Sequence, residues 1–392
     1  MTKSDSSFSQ SRKKSLLVIC TWILRLLCGG LFIFSGFVKA IDPWGTLFKI
    51  EEYFAAFGFP LPIALLRLTV FALCSLEFVV GCFLLLGCFR KSCPVFAGLI
   101  MAFMLPLTLW IALENPVADC GCFGDTVHLS NWMTFWKNVF ISAGVLWLIR
   151  YNLNAGCLIS PAFQWLAVVA SGMFIVLIEL IGYFYQPLID FRSFPEGSEL
   201  FATTQNNYER GIDVFDIDTL DDKNDEAADT KGQELVVMIP KVAYVSPATT
   251  WKLNSLYEWC QNNNVKMIGV VAGSKEEIEE WQDLSMAAYP IYLADDTSIK
   301  EAVRGNPGII YLDKGKIIWK STLNAIDVDD FMSPEVSGEV SSFRRDNTRF
   351  LWNCIFIYLI VIAFLVLISF TPRMAQLLTR GGLASKRGIR HH

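Results

Sequence analysis

Charge is scarce in this sequence. Only 18% of its 392 residues are Asp, Glu, Lys or Arg, while 53% are hydrophobic; soluble proteins average roughly 25% charged. The deficit is uneven: residues 1–190 and 350–370 are apolar, whereas 191–348 have an ordinary soluble composition. A lipid bilayer is therefore the expected partner of most of the chain. A basic footprint is also missing. The formal net charge is −5, with the acids gathered in the soluble stretch, which excludes nucleic acid as a partner. Histidine is rarer still, three in all, and His128 is the only one outside the C-terminal tail. A small-residue cleavage site does not follow the first apolar run, so that run is expected to stay as an anchor and not to leave as a signal peptide.

What is abundant is long apolar sequence. Crossing the hydrocarbon core takes about 20 residues, and six segments qualify: 16–41, 61–88, 93–114, 131–150, 163–186 and 349–371. Pro106 predicts a kink in the third. Basic residues give the direction. Lys3, Arg12, Lys13 and Lys14 precede the first span, Arg90 and Lys91 lie between spans two and three, and Arg150 closes span four. Arg373, Arg380, Lys386, Arg387 and Arg390 follow the last span, whereas loop 114–130 has no Lys or Arg and 42–60 has only Lys49. Both termini are thus expected in the cytoplasm, with loops 42–60 and 114–130 and residues 187–348 on the periplasmic side of an inner membrane. Between spans one and two, Leu47, Ile50, Phe54 and Phe57 recur at helical spacing opposite Glu51 and Glu52, the pattern of a short interfacial helix; an ordinary loop is the alternative.

Beyond span five, residues 187–232 read as a solvated acidic linker carrying Asp213, Asp216, Asp218, Asp221, Asp222, Asp225, Glu226 and Asp229. Elements then alternate. Strands are predicted at 234–240, 265–271 and 291–293, helices at 248–262, 275–286 and 297–303, and a final hairpin at 308–312 and 316–320. This is an α/β sheet with helices on both faces, assigned to residues 233–335. The order β-α-β-α, a proline and a hairpin resembles the thioredoxin fold, in which the matching proline, here Pro307, has a cis peptide bond. Thioredoxin-like enzymes also carry Cys-x-x-Cys after the first strand. Here that stretch is Tyr244-Val245-Ser246-Pro247-Ala248-Thr249-Thr250-Trp251, and the domain's one thiol, Cys260, falls further along the helix, where a buried structural cysteine is the better reading. The domain is read as redox-inactive, docking a partner through Tyr244, Trp251 and Pro307.

The eleven cysteines sort by topology. Cys20, Cys28, Cys74, Cys82 and Cys354 fall within spans, where cysteine serves as a small hydrophobe. Cys88, Cys93 and Cys157 fall at cytoplasmic ends, where thiols stay reduced. Cys120 and Cys122 remain, in Asp119-Cys120-Gly121-Cys122-Phe123-Gly124-Asp125. Two thiols separated by a glycine can close a very small ring, and strained, exposed disulfides are the exchangeable kind. The pair is a candidate redox site; a stapled turn without turnover is the alternative. A metal site would count two thiolates and His128, short of a closed zinc site, and none is expected.

The Cys-Gly-Cys-Phe-Gly loop between spans three and four resembles the MauE family, membrane proteins of methylamine utilisation within the wider DoxX-like group. Arg25, Gly30, Phe32, Ser35-Gly36, Lys39 and Asp42-Pro43 resemble the DoxX pattern of the first span, and Glu77, Gly81 and Gly87 its second. The resemblance covers residues 16–150 and implies a four-helix bundle, to which residues 151–186 and 349–371 add two helices between a cytoplasmic tail at 1–15 and a basic tail at 372–392. It also implies work beside a thioredoxin-like protein in forming disulfides of a periplasmic dehydrogenase, so the whole chain looks like a fusion of the two.

Ionisable residues within a span face the bundle interior. At about 1.5 Å per residue, Arg25 and Glu77 fall at similar depth, and they are expected to pair. The pair either fixes helix packing or, with Lys39, forms a quinone or proton site. Nearer the outer surface, Lys39, Arg67, Lys137 and Glu179 are expected to cluster under the Cys-Gly-Cys loop, where net positive charge would favour thiolate and Asp119 and Asp125 would oppose it. Two functions follow: a membrane component that exchanges thiol and disulfide with a periplasmic partner, with quinone as the electron acceptor, or a non-enzymatic scaffold for an envelope complex. A transporter is weaker, because no inverted repeat or matched pair of broken helices is visible.

Overall fold

The computed structural model describes residues 3–117, 120–124, 127, 129–190, 192, 194–200, 218–219, 232–326 and 347–388. Ten helices and six strands lie among them. The helices are α1 (Lys3–Ile41), α2 (Pro43–Ala56), α3 (Ile63–Leu86), α4 (Ser92–Glu114), α5 (Asn131–Tyr151), α6 (Gln164–Phe184), α7 (Pro247–Asn262), α8 (Lys275–Ser285), α9 (Asp296–Ala302) and α10 (Asn347–Gly388). Six are long and apolar enough to cross a membrane, over Arg12–Ile41, Ile63–Leu86, Ser92–Glu114, Asn131–Asn154, Pro161–Phe184 and Asn347–Phe370. The chain is a multi-pass helical membrane protein. It divides into two compact units, one of Met1–Ala40, Thr46–Ile178 and Leu351–His392, the other of Ile41–Gly45 and Glu179–Phe350.

In the helical unit, α1 and α3 meet along a seam of glycines. A Cβ on Gly36 would stand 2.5 Å from the Phe78 nitrogen, and one on Gly81 would stand 2.5 Å from the Ile33 nitrogen. Both distances are below any real contact, so only glycine lets these two backbones approach, as small residues do between helices in lipid. α4 continues through Pro106. Tyr358 of α10 stacks on Phe174 at 4.3 Å and 12°, and its hydroxyl lies 2.9 Å from the Ser171 hydroxyl. The short helix expected between spans one and two is present as α2, with Leu47, Phe48 and Ile50 buried.

The second unit is built on a six-stranded sheet, order β1-β4-β3-β2-β5-β6, from Asp218–Thr219, Gln233–Ile239, Lys266–Val271, Ile291–Leu293, Gly308–Asp313 and Lys316–Thr322. β2, β3 and β4 run parallel, β5 runs antiparallel to β2, and β6 antiparallel to β5. Period-two alternation sorts the side chains. Leu235, Val237 and Ile239 join Leu253, Leu256 and Trp259 of α7 and Ile278 and Trp281 of α8 on one face. Val236 and Met238 join Ile299 and Ala302 of α9 on the other. Helices therefore cover both faces, as β2's almost wholly buried sequence requires.

One boundary needs correction. Residues 187–200 were expected to be solvated linker, yet Phe194 and Leu200 belong to the second core. Gly197 N–H donates to the Ile317 carbonyl and Ile317 N–H to that of Ser198. Open hydrogen-bonding groups on the edge strand β6 give this segment a partner that composition alone does not show. Of the acidic run, Asp218 lies in β1, which pairs with β4; the other seven acids lie outside the described residues. The same unit holds Asp42 between Arg304 (2.9 Å) and Arg192 (3.7 Å), with Gly45 N–H donating to it. Burial alone would raise the Asp42 carboxyl, but the two guanidinium groups and this N–H outweigh it and hold the acid below its ordinary range.

Candidate thiol site

The loop between α4 and α5 is fixed at both ends by sequence. Asn115 takes a left-handed conformation (φ 48°), and its N–H closes α4 on the Ile111 carbonyl. Pro116, which cannot extend a helix, follows. Ser130 caps α5, its side chain accepting from Met133 N–H. Within the loop Gly121 and Gly124 have φ of +61° and +54°, and Gly124 N–H donates to the Gly121 carbonyl at 3.1 Å. Glycine between the two cysteines admits the left-handed turn that brings their sulfurs together, 2.8 Å apart.

The two thiols are not equivalent. Cys120 packs against Ile111 and Val117, with Tyr53, Leu107 and Trp110 alongside, and Tyr53 donates to its carbonyl at 2.6 Å. Cys122 faces a cavity of about 40 Å³ shared with Ser35, Lys39, Glu77, Phe123, Lys137 and Asn138 and lined further by apolar side chains of α1, α4 and α5. The hydrogen bond between the sulfurs, the proton staying on Cys120, raises the Cys120 thiol and lowers that of Cys122 to about 6; burial opposes the second shift, and Lys137 and Lys39 support it. Among ordinary thiols, with values near 8.5, Cys122 is the one poised as thiolate.

Beneath the loop the charges are arranged differently from expectation. Arg25 and Glu77 do not pair. Arg25 donates from Nε to Asn152 Oδ1 at 2.6 Å, and from its terminal nitrogens to the Gly156 and Asn152 carbonyls at 2.5 and 3.0 Å. It staples the chain after α5. Glu77 instead takes Lys39, whose Nζ lies 2.9 and 2.7 Å from the two carboxylate oxygens. The depths in fact differ: a Cβ on Gly87, at the end of α3, would stand 2.5 Å from an Arg25 terminal nitrogen, whereas Glu77 lies about 15 Å further along that helix, level with Lys39. A quinone held jointly by Arg25, Glu77 and Lys39 has no common site, because these side chains do not converge. Lys39 and Lys137 do meet at the cavity; Arg67 does not line it, and Glu179 falls in the other unit.

Two contributors were not legible as site residues. Ser35 lies within 2.8 Å of both Glu77 Oε2 and the Cys122 carbonyl and accepts from Lys39 at 3.0 Å; its spacing of four from Lys39 on one helix was the available signal. Tyr53 gave none. Asp119, Asp125 and His128 lie outside the described residues. Among the described residues no three His, Cys, Asp or Glu side chains gather as a metal site.

In the sheet unit, Tyr244 lines a cleft of about 640 Å³ beyond the carboxyl ends of β2 and β3, together with Val245, Glu280, Trp281 and Leu284. Trp251 is exposed. Pro307 is buried, after a cis peptide bond from Asn306, so its side chain is not a surface contact. Cys260 is fully buried in the core, and burial pushes its thiol up to about 12.

Fold and site together define a multi-pass helical membrane protein that presents a paired-thiol loop between two of its spans. Residues 17–150, which contain that loop, match the family model for methylamine utilisation protein MauE. No curated protein matches the chain.

Proposed function

We propose that this protein exchanges thiol for disulfide with an envelope protein through Cys120 and Cys122. The observation that carries the reading is the 2.8 Å approach of two inequivalent sulfurs in a loop within the MauE-like part of the chain. The Cys122 thiolate attacks one sulfur of the partner's disulfide. A mixed disulfide forms and the partner's first thiolate leaves. Cys120 then attacks Cys122, the partner's second thiolate departs, and one of the two released sulfurs takes the proton that Cys120 held. The partner is reduced by two electrons as the Cys120–Cys122 disulfide forms; run backwards, the same steps oxidise a partner dithiol. No step is assigned to quinone.

The reading includes sidedness. Both termini are placed in the cytoplasm and the loop and sheet unit in the periplasm of an inner membrane, on the distribution of Lys and Arg between loops. A reporter fused near residue 125 or 260 that proved accessible only from the cytosol would overturn it. The sheet unit is read as a thioredoxin-like docking domain that uses Tyr244, Trp251 and the Pro307 loop. Its single buried cysteine supports a binding role over chemistry.

The second reading, a scaffold in which the cysteines merely fix a turn, is favoured by the Tyr53 and Ser35 contacts to the loop carbonyls. Cys120→Ser separates them. Exchange predicts a mixed disulfide between Cys122 and a partner, resolved by reductant and lost in the double Cys120→Ser/Cys122→Ser variant. A complex that forms equally well in the double variant would establish the scaffold.

A further inference from the structure

The bundle buries a second set of reactive groups directly under the loop. Lys39 and Glu77 are each 4% exposed, and a charge carried at this depth is costly unless paired. Such a pair is weak evidence for stability, since apolar replacements often serve as well. Its placement says more. Lys39 from α1 and Glu77 from α3 open onto the small cavity that Cys122 also lines, and Lys137 enters it from α5. The cavity is of a size for about three water molecules, with enough polar partners to hold them. Ser35 completes the arrangement, because its single hydroxyl proton has two acceptors in reach, the Glu77 carboxylate and the Cys122 carbonyl.

We propose that Lys39 and Glu77 form an electrostatic pair that sets the reactivity of the Cys122 thiol, with Ser35 as the positioning group that ties the cysteine's backbone to them. The proposal deepens the thiol-exchange reading and rests on it for its biological use, but charge control of Cys122 is measurable with no partner present. Lys39 favours the thiolate and Glu77 opposes it. Among the described residues, the other charged or titratable groups near Cys122 include Lys137 of α5, Cys120 beside it, and Tyr53 and Lys49 of α2, where Lys49 is paired with Glu52. The α4 residues at the cavity are apolar. A carboxylate and an ammonium on opposite sides of the balance make the pair a setting device and not simply a source of positive charge.

The test is the pH dependence of Cys122 alkylation by iodoacetamide in the reduced full chain, followed by mass spectrometry. Glu77→Gln removes the opposing charge, and the midpoint falls by about one pH unit; Lys39→Met removes the favouring one, and it rises by about as much. Lys39→Arg keeps the wild-type midpoint. Midpoints unmoved in both charge-removing variants, or moved in the same direction, overturn the proposal. Should a lone buried charge prevent folding, the reversed pair Lys39→Glu/Glu77→Lys preserves the ion pair, and its midpoint rises; an unmoved midpoint there overturns the proposal equally. Failure to trap a partner would leave these shifts intact and count against exchange alone.

Discussion

Along its seam with α3, α1 buries two cations, one toward each end of that seam, and the chain treats them differently. Arg25, fully buried, is met by neutral acceptors, the Asn152 side chain and two carbonyls. Lys39 is met by a carboxylate and a hydroxyl. A guanidinium's planar fork suits a staple across a loop, where several fixed acceptors must be satisfied at once. An ammonium beside a carboxylate leaves a neutral pair whose two charges act separately on anything close by. Burial of charge alone therefore does not mark a functional site. What the charge faces decides it: Lys39 lies beside the loop thiol Cys122, whereas the thiols near Arg25 are Cys88, Cys93 and Cys157, away from that loop.

Substitutions separate the roles of the two cations. The largest effect is expected where both ends depend on the same seam: Gly36→Leu or Gly81→Leu forces α1 from α3, costs about 3 kcal/mol or more, and depletes monodisperse protein in heated detergent extracts. Arg25→Met comes next. It strands the Asn152 and Gly156 acceptors and lowers thermal stability by about 2–3 kcal/mol, while the pH midpoint of Cys122 labelling stays where it was. A shifted midpoint would mean that the two ends of α1 are not separable.

Asp42→Asn sharpens the contrast from outside the membrane. The folded-state acid is held below its unfolded value, so its contribution is complete above about pH 4 and is lost as pH falls through the folded-state value. Thermal melts between neutral and acid pH should show a steeper acid loss for the wild type than for Asp42→Asn, whose deficit at neutral pH is about 1–2 kcal/mol. Tyr53→Phe should do least. It removes one hydrogen bond to the Cys120 carbonyl, about 1 kcal/mol, and is read as faster amide hydrogen exchange in the loop.

The spans and the α/β elements were legible because each rests on a pattern that sequence carries whole: an apolar run, an alternation, a cap. Predicted strand 291–293 and β4 coincide, and helix 248–262 differs from α7 by one residue. The thiol pair was legible as two cysteines in a loop without Lys or Arg. Its chemistry was not, because the asymmetry of the sulfurs comes from which side chains α1, α3 and α5 turn toward one cavity. Arg25 illustrates the limit. Its burial could be expected from its place within a span, but its partner Asn152 lies 127 residues away on a segment with no motif. The edge segment 187–200 was hidden for a similar reason, since its hydrogen bonds to β6 are main-chain.

If the loop holds a thiolate at neutral pH, one titration shows it. In the reduced, membrane-inserted wild type, Cys122 should lose half its alkylation rate near the value of about 6 that its surroundings impose, while Cys120 stays unreactive well above neutrality. A Cys122 midpoint at the ordinary thiol value near 8.5, or equal reactivity of the two cysteines across the range, would contradict it.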